Sequence, residues 1–221
     1  MRTYFASAVF LAGLGFCLSV AAQQNTSDEW RMYNYDTHGT RFNIGETSLG
    51  PSNVSRLHVL WNVTTPAPVT GTPTVVGNDV FVGDWSGNFY QLDQRNGHIG
   101  WTAHAAAPIS ASALVQGDKV IFGDQAGFIY GLDRRSGAMR WQVRPNPHPW
   151  AAIFSSPIPV GRYVAIGIAS NEEEAALDPG YTCCSFRGSV VLLDPQNGDV
   201  VWQTYFISEG EQAAGSSGAA V

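Results

Sequence analysis

From residue 72 onward, short runs of β-branched and aromatic residues alternate with clusters of Gly, Pro, Asp and Asn. Punctuation this dense predicts many short strands joined by turns and argues against long helices. Three segments share one frame. The first runs from Thr72-Pro73-Thr74 through Asp79-Val80-Phe81-Val82-Gly83-Asp84 and Asn88-Phe89-Tyr90-Gln91-Leu92-Asp93 to Gly97 and Trp101. The second passes Lys119-Val120-Ile121-Phe122-Gly123-Asp124 and Phe128-Ile129-Tyr130-Gly131-Leu132-Asp133 to Gly137 and Trp141. The third passes Tyr163-Val164-Ala165-Ile166-Gly167 and Ser189-Val190-Val191-Leu192-Leu193-Asp194 to Gly198 and Trp202. Trp61, Trp101 and Trp141 stand 40 residues apart, and the step to Trp202 is 61. Most of the excess falls between Gly167 and Gly188, as an insertion.

Each segment holds four short runs, and four strands per ~40 residues predict a blade of a β-propeller. Asp93, Asp133 and Asp194 each stand four before a Gly and eight before a Trp. In a tight hairpin the Asp accepts turn N–H groups and the Gly takes a positive φ. A β-sandwich with coincidental Trp spacing is the alternative. The WD40 type fits worse, because no Trp is followed by Asp. Blades are expected over 71–103, 111–143 and 155–205, after an N-terminal segment over 23–70.

Two further features narrow the setting. Arg2, an apolar run from Phe5 to Val20 and Ala21-Ala22 read as a cleavable export signal over 1–22. The run is short for a membrane span, which needs ~20 residues. Cleavage would place the mature chain in an oxidising compartment, secreted or periplasmic, with Cys183 and Cys184 as its cysteines. The net charge is −6, and a single lysine accompanies eleven arginines without clustering. A non-specific nucleic-acid binder needs concentrated positive charge, so that class is set aside.

The Asp-x3-Gly-x3-Trp blade ending resembles the tryptophan-docking repeat of the quinoprotein (PQQ-dependent) dehydrogenases. The stretches Trp30-Arg31-Met32-Tyr33-Asn34-Tyr35-Asp36, Gly39-Thr40-Arg41-Phe42 and Asn53-Val54-Ser55-Arg56-Leu57-His58-Val59-Leu60-Trp61 are similar to the family's lead-in. Gly167-Ile168-Ala169-Ser170-Asn171-Glu172-Glu173-Glu174, with Tyr181-Thr182-Cys183-Cys184-Ser185-Phe186-Arg187-Gly188, resembles its polyvinyl-alcohol-dehydrogenase branch. The resemblance covers nearly all of residues 30–221. It implies an all-β fold, a partial β-propeller of the quinoprotein alcohol dehydrogenase type. Three complete four-stranded blades and an N-terminal closing strand at Leu57–Trp61 are expected. Such propellers have seven or eight blades, so the chain is expected to be an N-terminal part, poorly soluble alone.

The resemblance also implies PQQ and Ca²⁺ as cofactors, an alcohol as substrate and a separate electron acceptor such as a cytochrome c. Cys183 and Cys184 are expected to form a vicinal disulfide that serves as a flat platform for the cofactor. The alternatives are two reduced thiols or bridges to another chain. A bridge between neighbours closes almost no loop, so stapling the fold is a poor reason for it. Arg187 matches a carboxylate of PQQ bidentately, or pairs with an acid of its own loop. The insertion is expected to cross the propeller face with Arg187 pointing inward. Glu172 and Glu173 are the candidate metal ligands, against a solvated acidic face. Many family members carry the Cys pair on an earlier blade and a calcium-binding Glu just before the Arg-Gly, where this chain has Cys183. The catalytic base lies C-terminal in the family, so no catalytic residue is assigned. The five histidines lack ligand spacing and read as surface or packing residues. No C-x-x-C-H haem motif occurs, and Asn25, Asn53 and Asn62 head N-x-S/T sequons. A non-catalytic propeller scaffold for protein interaction is the second function class. A degenerate product without a stable fold is the third.

Overall fold

A computed structural model describes residues 29–181 and 184–210; the leader, Cys183 and residues 211–221 lie outside the described residues. The alternating runs fold into antiparallel sheets of successive strands. The first sheet orders β1 (Thr74–Val76), β2 (Asp79–Gly83), β3 (Asn88–Asp93) and β4 (Ile99–His104). The second orders β5 (Leu114–Gln116), β6 (Lys119–Gly123), β7 (Ile129–Asp133) and β8 (Met139–Val143). A short strand, β9 (Ala151–Ala152), precedes the third sheet. That sheet orders β10 (Ile158–Val160), β11 (Tyr163–Ser170), β12 (Ser189–Leu193) and β13 (Val200–Tyr205), with β9 paired to the end of β11. The three four-stranded blades expected from the repeat are therefore present. The first strands β1, β5 and β10 approach one another and line the axis; the fourth strands lie outermost.

The core lies between blades. Phe81, Phe89, Phe122, Tyr130 and Ile109 fill the space between the first two sheets. There the Phe89 and Phe122 rings stack at 4.0 Å. Leu114, Ile121, Ile129, Trp141, Ile153, Ile166, Val191 and Leu193 fill the next space. Burial of such apolar side chains contributes roughly 1.5–3 kcal/mol each, and this face-to-face packing is the main adhesive of the stack.

A second adhesive is directional. The Nε1–H of Trp61, Trp101 and Trp141 donates to the carbonyls of Gln94, Arg134 and Pro195 at 2.8, 3.1 and 2.9 Å. Trp101 and Trp141 thus leave their own blades and dock on the β3–β4-type hairpin of the next, and Trp61, before the first blade, docks on the hairpin of that blade. The receiving residue must be Gly. Gly137 has φ +70, and a Cβ built there would stand 2.5 Å from the Trp101 ring; Gly97 and Gly198 repeat the arrangement under Trp61 and Trp141. The turn aspartates behave as read from the sequence, since Asp133 Oδ1 accepts the N–H groups of Arg135 and Ser136.

Before the first blade, Trp30 bridges Val75 antiparallel and Val115 N–H donates to Arg31 O, so this segment runs along the axis side of β1 and β5. Met32 joins the second core. Leu57 to Trp61 runs without a ladder partner among the described residues, and Leu57, Val59 and Leu60 are exposed.

Candidate functional site

Strand direction places the turns 84–88 and 124–128, the crossovers 105–113 and 144–157, and the insertion at one end of the blades. Carboxylates organise this face. Asp124 is fully buried: its Oδ1 accepts Ala126 and Phe128 N–H, and its Oδ2 accepts Ala106 and Ala107 N–H and the Tyr130 hydroxyl at 2.7 Å. Asp84 does the same for Ser86, Asn88 and Tyr90. Burial, and then the donation to Asp84, push the Tyr90 hydroxyl up to about 12. Asp84 itself stays below the usual carboxylate range, because its donors outweigh burial.

The third blade lacks an Asp after Gly167. There β11 continues to Ser170, Asn171 N–H donates to Trp150 O, and α1 (Glu172–Ala175) begins. Glu172 is fully buried. Its Oε1 accepts the Tyr181 hydroxyl at 2.7 Å and Ser185 N–H and Oγ–H at 2.6 and 3.1 Å; its Oε2 accepts Phe186 N–H at 2.8 Å. Burial alone would raise this acid, but the Ser185, Tyr181 and Phe186 donors hold it below its ordinary value. Glu172, a candidate metal ligand on the sequence, here accepts four donors from its own loop. Both oxygens face N–H and O–H donors, whose hydrogens would confront a cation. Glu173 is exposed, and among the described residues no three His, Cys, Asp or Glu gather as a cation cage. The residues present do not fit Ca²⁺ at this place.

Arg187 is engaged within the third blade. Its guanidinium lies over the Tyr205 ring at 4.3 Å and donates to Ile207 O at 3.3 Å. Tyr205 belongs to the outermost strand, so Arg187 turns away from the axis; an aromatic face attracts a guanidinium as effectively as a loop acid does. Cys184 is half-buried and disulfide-bonded. Cys183 lies outside the described residues.

Sequence reasoning missed two sets of residues. Ser110, Ser112 and Ser170 stand at this same end with buried hydroxyls that have no partner among the described residues, and Ser112 N–H donates to Ser156 Oγ at 3.0 Å. His148, read as a surface or packing residue, bonds at both ring nitrogens: Nδ1 accepts Trp150 N–H and Nε2 meets Ser185 Oγ at 3.0 Å. No local motif marks these residues. Asp84 and Asp124 do carry a signal, a Gly-Asp pair with Tyr six residues on.

Comparison with known proteins places the chain. The family model PQQ_2, described as "Outer membrane protein assembly factor BamB", matches residues 58–220. A polyvinylalcohol dehydrogenase of Pseudomonas sp. is 28% identical over 191 residues, 82% of this chain and 29% of that protein. The chain therefore spans under a third of that relative. BamB from Moraxella catarrhalis, a solved structure, is 28% identical with TM-score 0.50, over 66% of this chain and 39% of its own. The quinohemoprotein alcohol dehydrogenase ADHIIG from Pseudomonas putida HK5 superposes with TM-score 0.70 at 21% identity, over 81% of this chain and 27% of that one. That likeness is one of fold.

Proposed function

We propose, from the premise that this chain belongs to the PQQ_2 family of β-propellers, that it forms the N-terminal blades of an exported, PQQ-dependent dehydrogenase oxidising alcohols. The observation that carries this reading is the set of unpartnered buried hydroxyls at the loop-bearing end, Ser110, Ser112 and Ser170. A buried hydroxyl without a partner costs free energy, and a ligand offering acceptors recovers it. PQQ, when bound, supplies a two-electron acceptor for alcohol oxidation. Ser110 and Ser112 would donate to its carboxylates, and the Cys184 disulfide, proposed to be vicinal with Cys183, would present a polarizable surface to its ring. Similarity to the Pseudomonas polyvinylalcohol dehydrogenase supports an alcohol substrate, polymeric alcohols included. In this reading the leader 1–22 is cleaved, the protein is secreted or periplasmic, and a separate acceptor such as a cytochrome c takes the electrons.

A second reading is a non-catalytic propeller scaffold. Two observations favour it: the family description names an assembly factor, and Arg187 is engaged away from the axis. Titrating PQQ into the full-length protein, followed by quenching of tryptophan fluorescence, separates the two. Saturable binding that Ser112→Val weakens about tenfold, the scale of one hydrogen bond to a charged group, supports the dehydrogenase. Absence of binding leaves the scaffold.

A further inference from the structure

We propose that Glu172 is the positioning residue of the insertion: its carboxylate is an internal anion that holds His148, Trp150 and the Cys184 disulfide as one unit. The inference rests on the dehydrogenase reading for the purpose of that unit.

The donors to Glu172 come from nine to fourteen residues later in the chain. Beginning and end of the insertion are thereby tied at one buried point. Cys184 immediately precedes Ser185, whose N–H and Oγ–H both go to Oε1, so the backbone leaving the disulfide is fixed by the carboxylate.

The network continues into the crossover from the second blade, and its direction is determined. A backbone N–H can only donate, so Trp150 N–H requires a bare Nδ1 on His148. With that lone pair engaged, Nε2 is the ring nitrogen that can donate to Ser185 Oγ. Ser185 in turn donates to Glu172. Three side chains and one amide form a single chain of donations ending on the carboxylate. From the other side Arg144 donates to Ala126 O and His148 O at 2.9 Å each, so the crossover cannot drift independently. Phe186 packs its ring against the His148 ring at 5.4 Å, and Trp150 meets Tyr181 at 6.3 Å, both edge-on. Of the acidic run, Glu172 alone is buried; Glu173 and Glu174 are exposed and serve as controls.

The test uses the full-length protein without added cofactor. Amide hydrogen exchange over 171–187 and 148–150 is measured beside the rate at which a water-soluble phosphine reduces the Cys184 disulfide. Glu172→Gln puts an amide where four donors converge; it should accelerate both rates by about tenfold or more, because a charge-assisted hydrogen bond is lost. Tyr181→Phe removes one donor and should accelerate both by about threefold. Glu173→Gln should leave them unchanged, as should exchange in β5–β8 for every variant. Unchanged rates in Glu172→Gln overturn the proposal; if that variant does not fold, unchanged rates in Tyr181→Phe do so. Calcium alone, added to wild type, should leave exchange unchanged; slowing that Glu172→Gln abolishes would make Glu172 a cation ligand and overturn the proposal. Failure of the wild type to bind PQQ would remove the dehydrogenase reading and leave these cofactor-free rates standing.

Discussion

The second and third blades make the same connection in different ways. Five residues join β6 to β7, whereas eighteen join β11 to β12. In the short turn Asp124 sits directly after the strand and gathers the amides within four residues, a Tyr six residues on and two amides of the crossover. In the long one the carboxylate moves four residues beyond Ile168, gains a methylene, and gathers a Tyr and two amides from the far end of the insertion. The chemical solution is conserved in kind: one buried acid replaces water for a set of turn donors. What differs is reach. A short turn needs the acid for its own amides; a long loop uses it to define where the loop returns.

The comparison breaks most readily at Asp124. Asp124→Ala would leave five donors facing an empty site, and we expect a loss of ~3–5 kcal/mol in denaturant unfolding, as for other disrupted buried charge networks. A loss below ~1 kcal/mol would refute the role given to the short-turn acid. Gly137→Ala should cost ~2–3 kcal/mol, since it combines a strained positive φ with a clash against Trp101; chemical melts of the single variant check this. Glu172→Gln should cost less in global unfolding, ~1–2 kcal/mol, because the loosened insertion lies outside the sheets. A global cost equal to that of Asp124→Ala would make the two turns equivalent.

Acid should sharpen the contrast with the hairpins at the other end of the blades. Hydrogen bonding from the Arg95 side chain and amide holds Asp93 at about 2, well below its ordinary value. A lowered acid contributes stability that is present above its unfolded pKa and lost as pH falls through the folded one. The thermal midpoint should thus hold from neutral pH to about 4 and fall between about 4 and 2. A midpoint flat to pH 2 would count against the turn aspartates. Smallest of all, Arg187→Ala should cost under ~1 kcal/mol, as expected for a half-exposed cation over an aromatic ring.

The repeat, its strand order and the turn aspartates were legible in the sequence because each depends on residues within one blade. The direction of Trp docking was not, because Trp101 and Trp141 reach carbonyls 33 and 54 residues away. Glu172 was singled out for the right reason, an acid at a strand end. Composition shows an anion there and does not show which donors converge on it. Arg187 was assigned to an anion, since a sequence displays charges and conceals the face of Tyr205. The serine hydroxyls were invisible for a related reason: being unpaired is a property of surroundings.

The docking tryptophans have a consequence for how such a molecule grows. Each unit carries a plug at its end and a socket in its last hairpin, and the plug fits the following unit and never its own. A unit of this kind is self-complementary head to tail, so duplication of one ~40-residue stretch yields an interface that already fits. Copy number is then limited only by the angle at which the ring meets itself. Trp141, seated on Gly198, is 8% exposed, while Trp202, identical in sequence position, is 44% exposed. The sockets at Gly97, Gly137 and Gly198 are filled by Trp61, Trp101 and Trp141.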